Sequence, residues 1–384
     1  MRKFFYAIII TLLHSALLFG QNYESYKHLL DTTFASKSLG FDKNITITVP
    51  FEWQKDNNRE FPLIVIFDRQ NPRSHNFIIN AIDYLTSNDQ MPSSIIVSIE
   101  SVQEYRYIET QYNISNEQGK AAQNEKFIFE ELIPLLESDF NASSYRLFIG
   151  HSRYGYFTTS LLFTRLQEVN AIISLSPFFS QTNIELTDSI PELNRAEFTS
   201  KKYYRFGIGS DYPDDFYKMD SSLQNLTNPS IDASGVLFKE ATHNVTPGLT
   251  ITAALYEVFE YWAKQQNVYF SDQQKELGII KDLNNEISKH FGSDLPFSLG
   301  VLNGKGWFLY NIEEYNKAIE AWEILLTYYP SFSETYLYII DAQLQMNQDV
   351  SSSVRAFRDS MMHSDFYSES ERQELEAYLE ELLQ

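Results

Sequence analysis

The fold is decided by one stretch of sequence, Arg146-Leu147-Phe148-Ile149-Gly150-His151-Ser152-Arg153-Tyr154-Gly155. Four strand-like residues lead into Gly-His-Ser, and a segment with helical character follows over 154–165. This layout predicts a nucleophile elbow, a sharp turn between a buried strand and a helix that holds the hydroxyl of Ser152 clear of the sheet. The N-terminus of the helix favours negative charge that develops beside the serine, and the glycine at position 150 leaves room for the turn.

One residue departs from the usual Gly-x-Ser-x-Gly pattern of such an elbow. Tyr154 occupies the last position, and the glycine follows one residue later as Gly155. A Gly-x-Ser sequence after a strand is also compatible with an ordinary turn between a strand and a helix. The remainder of the chain must therefore decide between the two interpretations.

Strand and helix patterns alternate on both sides of this stretch. Strand patterns lie at 45–49, 63–68, 94–99, 146–149, 171–176, 203–209 and 235–239. Helical spacing of apolar residues lies at 77–85, 127–136 and 249–262. Several of the strand patterns are continuous apolar runs, which are typical of strands buried on both faces. The alternation predicts an α/β fold with a mostly parallel sheet flanked by helices.

Three polar residues follow strands of the predicted sheet, in the order Ser152, Asp211 and His243. Catalytic groups gather at the carboxyl ends of the strands in such sheets, and this order is that of the α/β-hydrolase triad. A serine hydroxyl becomes a nucleophile when a neutral imidazole takes its proton, and a carboxylate orients that imidazole. Asp214 and Asp215 lie close enough in sequence to be alternative acids.

Each of these residues also has a structural interpretation. Asp211 precedes Tyr212-Pro213 and is compatible with an Asx turn, and His243 is compatible with an ordinary loop histidine. His151, next to the serine, is interpreted as a residue that packs the elbow. The agreement of elbow, order and position at strand ends favours the triad.

Several segments resemble the putative-esterase family of α/β hydrolases, which includes enterochelin-esterase-like and S-formylglutathione-hydrolase-like enzymes. The resemblance covers roughly residues 30–262. It rests on six segments: Ser38-Leu39-Gly40 with 45–50, 61–68, Ser98-Ile99-Glu100 with Tyr105-Arg106, 127–134, Gly150-His151-Ser152, and 243–247. It implies an α/β-hydrolase fold and esterase activity. It also implies an oxyanion hole of two backbone N–H groups, one from Arg153 and one from Arg69 or Gln70.

The chain departs from the family pattern in three places. Arg153-Tyr154-Gly155 replaces Phe-Gly-Gly, Asp68-Arg69 replaces Asp-Gly, and Glu109-Thr110 replaces Thr-Pro. A backbone N–H group of the oxyanion hole is retained when its side chain is replaced. The loss of one such donor, however, typically lowers the rate about a hundredfold or more. These departures keep a second hypothesis open, a catalytically inactive esterase-like protein that acts as a binding module through its C-terminal region.

Residues 1–20 predict a secretory signal peptide. Arg2 and Lys3 form a positive n-region, 4–19 is mostly apolar, and Gly20-Gln21 offers a small residue for cleavage. A retained membrane anchor is the alternative, although the run is short for a transmembrane helix. The sequence contains no cysteine, which excludes lipid attachment, disulfides and thiol chemistry. We expect an exported protein, periplasmic or extracellular, without stable membrane insertion after cleavage.

The charge of the chain restricts its partners. The formal net charge is −21, which argues against binding to nucleic acid and favours a substrate that is not a polyanion. There is no phosphate-binding glycine loop, and His75, His290 and His363 have no partner at metal-ligand spacing. We therefore expect neither a cofactor nor a metal, and a small-molecule or acyl-ester substrate.

The strand pattern stops at about residue 267, and helical patterns follow. Gly306, Ala318 and Pro330 occupy the small, small and proline positions of a tetratricopeptide-like repeat, and helices are predicted at 333–346, 354–361 and 371–383. We predict an α/β-hydrolase domain over 21–265 and an all-α, tetratricopeptide-like domain over 266–384. A single repeat is also compatible with a plain helical appendage. The region is predicted to dock a protein partner or to form a lid.

The sequence therefore predicts a secreted serine hydrolase of carboxylic esters. Ser152 attacks the ester carbonyl, His243 acts as base and then as acid, and Asp211 orients the imidazole, with an acyl-enzyme intermediate. The identity of the natural ester stays open between siderophore, feruloyl or acetyl-sugar, and simple acyl substrates.

Overall fold

The computed structural model describes residues 23–55, 59–112, 118–181, 183–271, 273, 276–364 and 366–384. The predicted signal peptide, residues 1–20, lies outside these ranges. No helix among the described residues is both long and apolar enough to cross a membrane.

An eight-stranded sheet forms the centre of the fold. Its strands are β1 (Tyr26–Ser36), β2 (Phe41–Pro50), β3 (Phe61–Phe67), β4 (Ile95–Ile99), β5 (Ala142–His151), β6 (Ala171–Leu175), β9 (Lys202–Ile208) and β10 (Ile231–Leu237), while β7 (Ser180–Gln181) and β8 (Ile184–Glu185) form a separate hairpin. The order across the sheet is β1-β2-β4-β3-β5-β6-β9-β10. The six strands from β4 to β10 pair in parallel, and β1 and β2 are antiparallel. The mostly parallel α/β sheet predicted from the sequence is confirmed.

Helices cover both faces of the sheet and continue beyond it. They are α1 (Pro72–Ser87), α2 (Gln103–Arg106), α3 (Ala121–Lys126), α4 (Ile133–Phe140), α5 (Arg153–Thr164), α6 (Pro213–Leu223), α7 (Thr246–Phe270), α8 (Ile280–Phe291), α9 (Leu299–Asn311), α10 (Tyr315–Tyr328), α11 (Thr335–Gln345), α12 (Ser351–His363) and α13 (Glu369–Leu382). A π-helical turn, Phe127–Leu132, joins α3 to α4.

The sequence of strand β3 is continuously apolar because both of its faces are buried. Its side chains alternate between the two faces, and Leu63 and Val65 point into a core with α3, α4 and α5. Ile64 and Ile66 point into a second core with α1 and α7. Each face of the central strands is therefore buried under helices, as the length and composition of these runs predict.

Strand β1 was not predicted from the sequence. It lies at one edge of the sheet and pairs only with β2. Most of its residues, including Asp31, Thr32 and Thr33, are exposed on the outer side. An edge strand of this kind lacks the apolar alternation on which a prediction depends.

The helical region from α8 to α13 packs at the amino ends of the parallel strands. Lys201, before β9, donates its backbone N–H to His290 O at 2.8 Å. Asn170, before β6, donates its side-chain amide to Phe291 O at 3.1 Å. Arg59, before β3, donates to the hydroxyl of Tyr329 at 2.9 Å. Ser152 and the other predicted site residues lie at the carboxyl ends, so this position argues against a lid over the site.

Helices α8 to α11 share one hydrophobic core with the α1 and α7 face of the sheet, and α12 and α13 pack against α11 in a separate core. Trp262 of α7 is buried and donates its indole N–H to Leu295 O at 3.1 Å. Trp322 of α10 belongs to the same core as Trp262, and a Cβ on Gly306 would lie 2.1 Å from its indole nitrogen. The predicted boundary between 265 and 266 lies inside α7, so the division into two domains, like the tetratricopeptide-like character of the second, stays a prediction.

Candidate active site

Ser152 occupies a sharp turn between β5 and α5. Its backbone has φ 57° and ψ −116°, a conformation that non-glycine residues adopt only when their surroundings impose it. Its N–H donates to Leu175 O at 2.9 Å. A Cβ on Gly150 would lie 2.2 Å from Tyr154 O, so only glycine fits there. The local geometry is that of the predicted nucleophile elbow.

His243 and Asp211 meet at the same edge of the sheet. The imidazole Nδ1 of His243 lies 2.5 Å from Asp211 Oδ2, and both side chains are partly buried. Asp211 follows β9 and His243 follows β10, while Ser152 follows β5 at this edge. Ser176, directly after β6, donates its hydroxyl to Asp211 Oδ2 at 3.1 Å. The structure thus brings the three predicted side chains to one edge and adds a serine that the sequence did not indicate.

The two alternative acids do not contact His243. Asp214 is exposed at the start of α6. Asp215 accepts a hydrogen bond from the backbone N–H of Phe179 at 2.9 Å. Of the three acids considered from the sequence, Asp211 is the one that binds the imidazole.

His151 contacts the loop that carries His243. Its Nε2 lies 3.3 Å from His243 O, and the two imidazole rings are 4.7 Å apart. Burial, and to a smaller extent the charge of His243, lower the pKa of His151 from 6.5 to about 4. His151 is therefore neutral at ordinary pH and donates from Nε2 to the carbonyl. The interpretation of His151 as a packing residue missed this hydrogen bond, because sequence adjacency to Ser152 says nothing about a loop 92 residues away.

The pKa of His151 predicts a dependence of stability on pH. The unfolded chain binds more protons than the folded chain between pH 6.5 and 4, so the free energy of unfolding falls as the pH falls through this window. The shift of His151 corresponds to about 3 kcal/mol, fully present above pH 6.5 and lost near pH 4. Urea unfolding at several pH values measures the slope.

A His151→Gln variant is the control for this prediction. Burial lowers the pKa of His290 to about 4 and lowers the pKa of His75 as well. The parent slope therefore contains all three histidines, and the difference between parent and variant isolates His151. The variant should lose stability less steeply between pH 6.5 and 4. Identical slopes would contradict a buried neutral His151.

A buried ion pair fixes the loop after β3. Asp68, at φ 63°, binds Arg106 through two hydrogen bonds of 2.7 Å each. Arg106 also donates to His151 O at 3.2 Å, which joins this loop to the elbow. Gln70 donates to Asp68 Oδ1 at 2.9 Å and accepts from the backbone N–H of Ser101 at 2.8 Å. The side chains of the loop therefore hold one backbone conformation.

The backbone N–H groups of this loop differ in their availability. The N–H of Arg69 donates to Ile99 O at 3.1 Å, which speaks against Arg69 as the second oxyanion donor. The N–H of Gln70, the alternative, forms no hydrogen bond among the described residues. Arg153 is the first residue of α5, where backbone N–H groups have no partner within the helix. Gln70 and Arg153 are thus the candidate pair of donors.

Two of the departures from the family pattern bind each other. The hydroxyl of Tyr154 donates to Glu109 at 2.6 Å and accepts from Ser101 at 2.8 Å. Glu109 is fully buried and pairs with the buried Lys43 at 2.8 Å. Burial and the charge of Glu109 raise the pKa of Tyr154 well above its usual range, so the phenol stays protonated. The ring of Tyr154 stacks on Phe67 at 4.3 Å.

No cluster of three or more histidine, cysteine, aspartate or glutamate side chains within the described ranges could hold a metal ion. The arrangement at the sheet edge supports chemistry by side chains and backbone donors: a serine on an elbow, an imidazole held by a carboxylate, and two N–H groups on fixed loops.

A sequence model of the family described as "Putative esterase" matches residues 36–236. The chain belongs to this esterase family. No curated protein sequence matches the chain. The family match covers the sheet from the end of β1 to β10 and includes Ser152 and Asp211, and it ends before His243.

Three solved structures have folds similar to that of this chain. An IroE-like serine hydrolase from Shewanella oneidensis has a TM-score of 0.62 at 19% identity, covering 79% of this chain and 99% of that one. An uncharacterised protein from Capnocytophaga ochracea has a TM-score of 0.59 at 15% identity, covering 91% and 99%. The BES protein from Bacillus cereus has a TM-score of 0.52 at 19% identity, covering 62% and 98%. At these identities the likeness concerns the fold.

Proposed function

We propose that the chain is an exported serine hydrolase that cleaves carboxylic esters with Ser152, His243 and Asp211. The observation that carries the proposal is the 2.5 Å contact between His243 Nδ1 and Asp211 at the edge where Ser152 occupies its elbow. Membership of an esterase family supports the reaction class. The proposed location, periplasmic or extracellular, rests on the predicted signal peptide at 1–20.

The proposed reaction proceeds in two halves. Asp211 accepts a hydrogen bond from Nδ1–H of His243, which leaves Nε2 with the lone pair that takes the proton of Ser152. The Oγ–C bond forms first and gives a tetrahedral intermediate. The C–O bond to the alcohol then breaks, and the imidazolium gives its proton to the leaving alkoxide. Water then attacks the acyl-enzyme by the same route and releases the acid. The N–H groups of Arg153 and Gln70 stabilise the oxyanion of both tetrahedral intermediates.

The non-catalytic alternative loses its main support. It rested on Tyr154 and on the changes at Arg69 and Glu109, which suggested a damaged site. Tyr154 and Glu109 bind each other beneath the elbow, and the backbone of Gln70 replaces that of Arg69 as the proposed donor. A protein partner for the helical region remains compatible with either function.

The test combines labelling with hydrolysis. Residues 21–384 are treated with a fluorophosphonate, and the labelled peptide is identified by mass spectrometry; 4-nitrophenyl acetate and butyrate report turnover. We expect the label on Ser152, turnover by the parent, and neither label nor turnover in Ser152→Ala. A parent that stays unlabelled and hydrolyses neither these nor larger esters would overturn the proposal.

The pairing of Asp68 with Arg106 predicts a rate effect at a distance from the triad. An Arg106→Met variant leaves the carboxylate of Asp68 buried and unpaired and releases the loop that carries Gln70. We expect kcat for ester hydrolysis to fall by about ten- to a hundredfold, toward the effect of losing one oxyanion donor. Fluorophosphonate labelling should slow in parallel, since it forms a similar oxyanion. An unchanged kcat would show that Arg106 does not position the loop.

A further inference from the structure

The side chain of Arg153 lies beside the proposed nucleophile between aromatic rings. Its guanidinium carbon is 3.6 Å from the ring centre of Tyr107 and 5.8 Å from that of Phe178. The amide oxygen of Gln181, turned toward the arginine, accepts from Nη1 at 2.6 Å. These contacts orient the guanidinium, and the bond to Gln181 uses an N–H of Nη1.

Arg153 has no carboxylate partner among the residues that the structure describes. The chain contains 51 acidic and 30 basic residues, and two neighbouring arginines at this edge are paired, Arg106 with Asp68 and Arg69 with Asp31. Arg73, in the first turn of α1, is exposed. Burial lowers the pKa of Arg153, but a guanidinium keeps its charge in a protein. A half-buried cation without an opposite charge is unfavourable, and a bound anion would remove this cost.

The aromatic rings connect Arg153 to the proposed catalytic histidine. Phe178 lies 6.0 Å from Tyr212, and Tyr212 lies 5.8 Å from His243, ring centre to ring centre. Arg153, Phe178, Tyr212 and His243 therefore form one continuous chain of ring contacts, which begins at the residue after Ser152 and ends at His243. Tyr107, 55% exposed, stands at its outer end. Because the proposed reaction holds the ester bond at Ser152 and His243, another group of the same ester can extend along these rings toward the guanidinium.

We propose that Arg153 is a specificity-determining residue that binds a carboxylate of the ester itself. This inference rests on the proposed function and deepens it: the preferred substrates are anionic esters, with the carboxylate on the acyl part or on the alcohol part. A guanidinium binds a carboxylate through paired N–H donors in one plane, and the face of Tyr107 fixes that plane. The net charge of the protein repels anions at long range, so recognition is a local property of this arginine.

The test compares pairs of esters in which a methyl group of the neutral member takes the place of the carboxylate. The acyl arm pairs 4-nitrophenyl hydrogen adipate with 4-nitrophenyl hexanoate, and the alcohol arm pairs 4-acetoxybenzoate with 4-methylphenyl acetate. The readout is the ratio of kcat/KM for the charged and the neutral member, after subtraction of uncatalysed hydrolysis. We expect a ratio of about ten or more in one arm, the size of a hydrogen-bonded charge pair.

Three variants assign that ratio to Arg153. Arg153→Met should bring it to about one, and Arg153→Lys should keep part of it. Arg195→Met is the matched control, because it removes one exposed positive charge elsewhere and should leave the ratio unchanged. If Arg195→Met lowers the ratio as much as Arg153→Met, long-range attraction explains the preference and the proposal fails.

The outcomes separate this proposal from the proposed function. Ratios near one in both arms, in a parent that is labelled at Ser152, would overturn the role of Arg153 and leave the esterase intact. If Arg153→Met hydrolyses no ester, or if the parent itself is inactive, calorimetry with monomethyl adipate and 4-acetoxybenzoate decides in the Ser152→Ala background. Binding to Ser152→Ala that is lost in the double variant Ser152→Ala/Arg153→Met supports the site. If Ser152→Ala itself binds neither compound, the proposal is overturned.

Discussion

Replacement of Asp211 by asparagine is expected to lower kcat for ester hydrolysis by about 10⁴-fold, with a much smaller effect on KM. The asparagine keeps the shape of the side chain and its hydrogen bond from Ser176. It can donate its amide to Nδ1 of His243, which moves the imidazole proton to Nε2 and removes the lone pair that would take the proton of Ser152. The expected loss therefore comes from the wrong tautomer. Steady-state kinetics on 4-nitrophenyl butyrate measures it.

The neighbouring acids provide matched controls. Asp214→Asn changes an exposed side chain and should leave kcat within twofold of the parent. Asp215→Asn weakens the hydrogen bond from Phe179 and should affect stability more than rate. His243→Ala should abolish turnover, and adding Asp211→Asn to it should cost little more, because residues that act as a unit are not additive. A kcat for Asp211→Asn within tenfold of the parent would exclude it as the acid.

The meeting of the candidate site residues at one edge of the sheet could be predicted, because local patterns fix their positions. Ser152, Asp211 and His243 each follow a strand whose apolar run is readable, and parallel strands bring their carboxyl ends to one edge. The choice of Asp211 over Asp214 and Asp215 depended on the turn after β9, which the sequence left open. Ser176 also follows a readable strand, yet a serine after a strand has no distinguishing pattern. Its hydrogen bond to Asp211 became evident only from the geometry.

The departures from the family pattern could not be interpreted one at a time. Tyr154 and Glu109 each suggested a damaged esterase, since each replaces a residue of a familiar motif. They are 45 residues apart and bind each other, with Lys43 supplying the opposite charge. A single sequence contains no signal that links such positions, because the pairing depends on the meeting of helix α5, a 3-10 turn at 108–110 and strand β2.

The placement of the helical region shows a similar limit. The amphipathic pattern of α8 to α13 predicts helices that bury one face, but it does not say against which surface. The surface is provided by α7, which continues to Phe270 and extends its apolar face, including Trp262, past the sheet. Helices α8 and α9 pack against α7 there, at the edge opposite Ser152, while α10 packs on α9, α11 on α10, and α12 and α13 on α11. Most strands of the sheet, β1 excepted, were predictable from period and composition, whereas this docking depends on the length of one helix.

Loss of the Glu109 charge is expected to be the most destabilising change in the polar cluster beneath the elbow. Glu109→Gln leaves the ammonium of Lys43, 3% exposed, without its partner. Removal of one member of a buried ion pair typically costs about 3–5 kcal/mol, because the remaining charge is neither solvated nor paired. We expect a loss of this size in the free energy of unfolding, measured with urea at pH 7. A loss below about 1 kcal/mol would show that water reaches Lys43.

The double variant Lys43→Met/Glu109→Gln separates the cost of an unpaired charge from the loss of packing. It removes both charges and keeps apolar volume, so it should recover most of the stability that Glu109→Gln loses. Tyr154→Phe is the matched neutral change. It removes one hydroxyl and its hydrogen bonds to Glu109 and Ser101, and should cost about 1–3 kcal/mol. If the cluster also positions the elbow, the double variant will be stable but will react with fluorophosphonate more slowly than the parent. Equal labelling rates would show that the packing of Tyr154 on Phe67 suffices to hold Ser152.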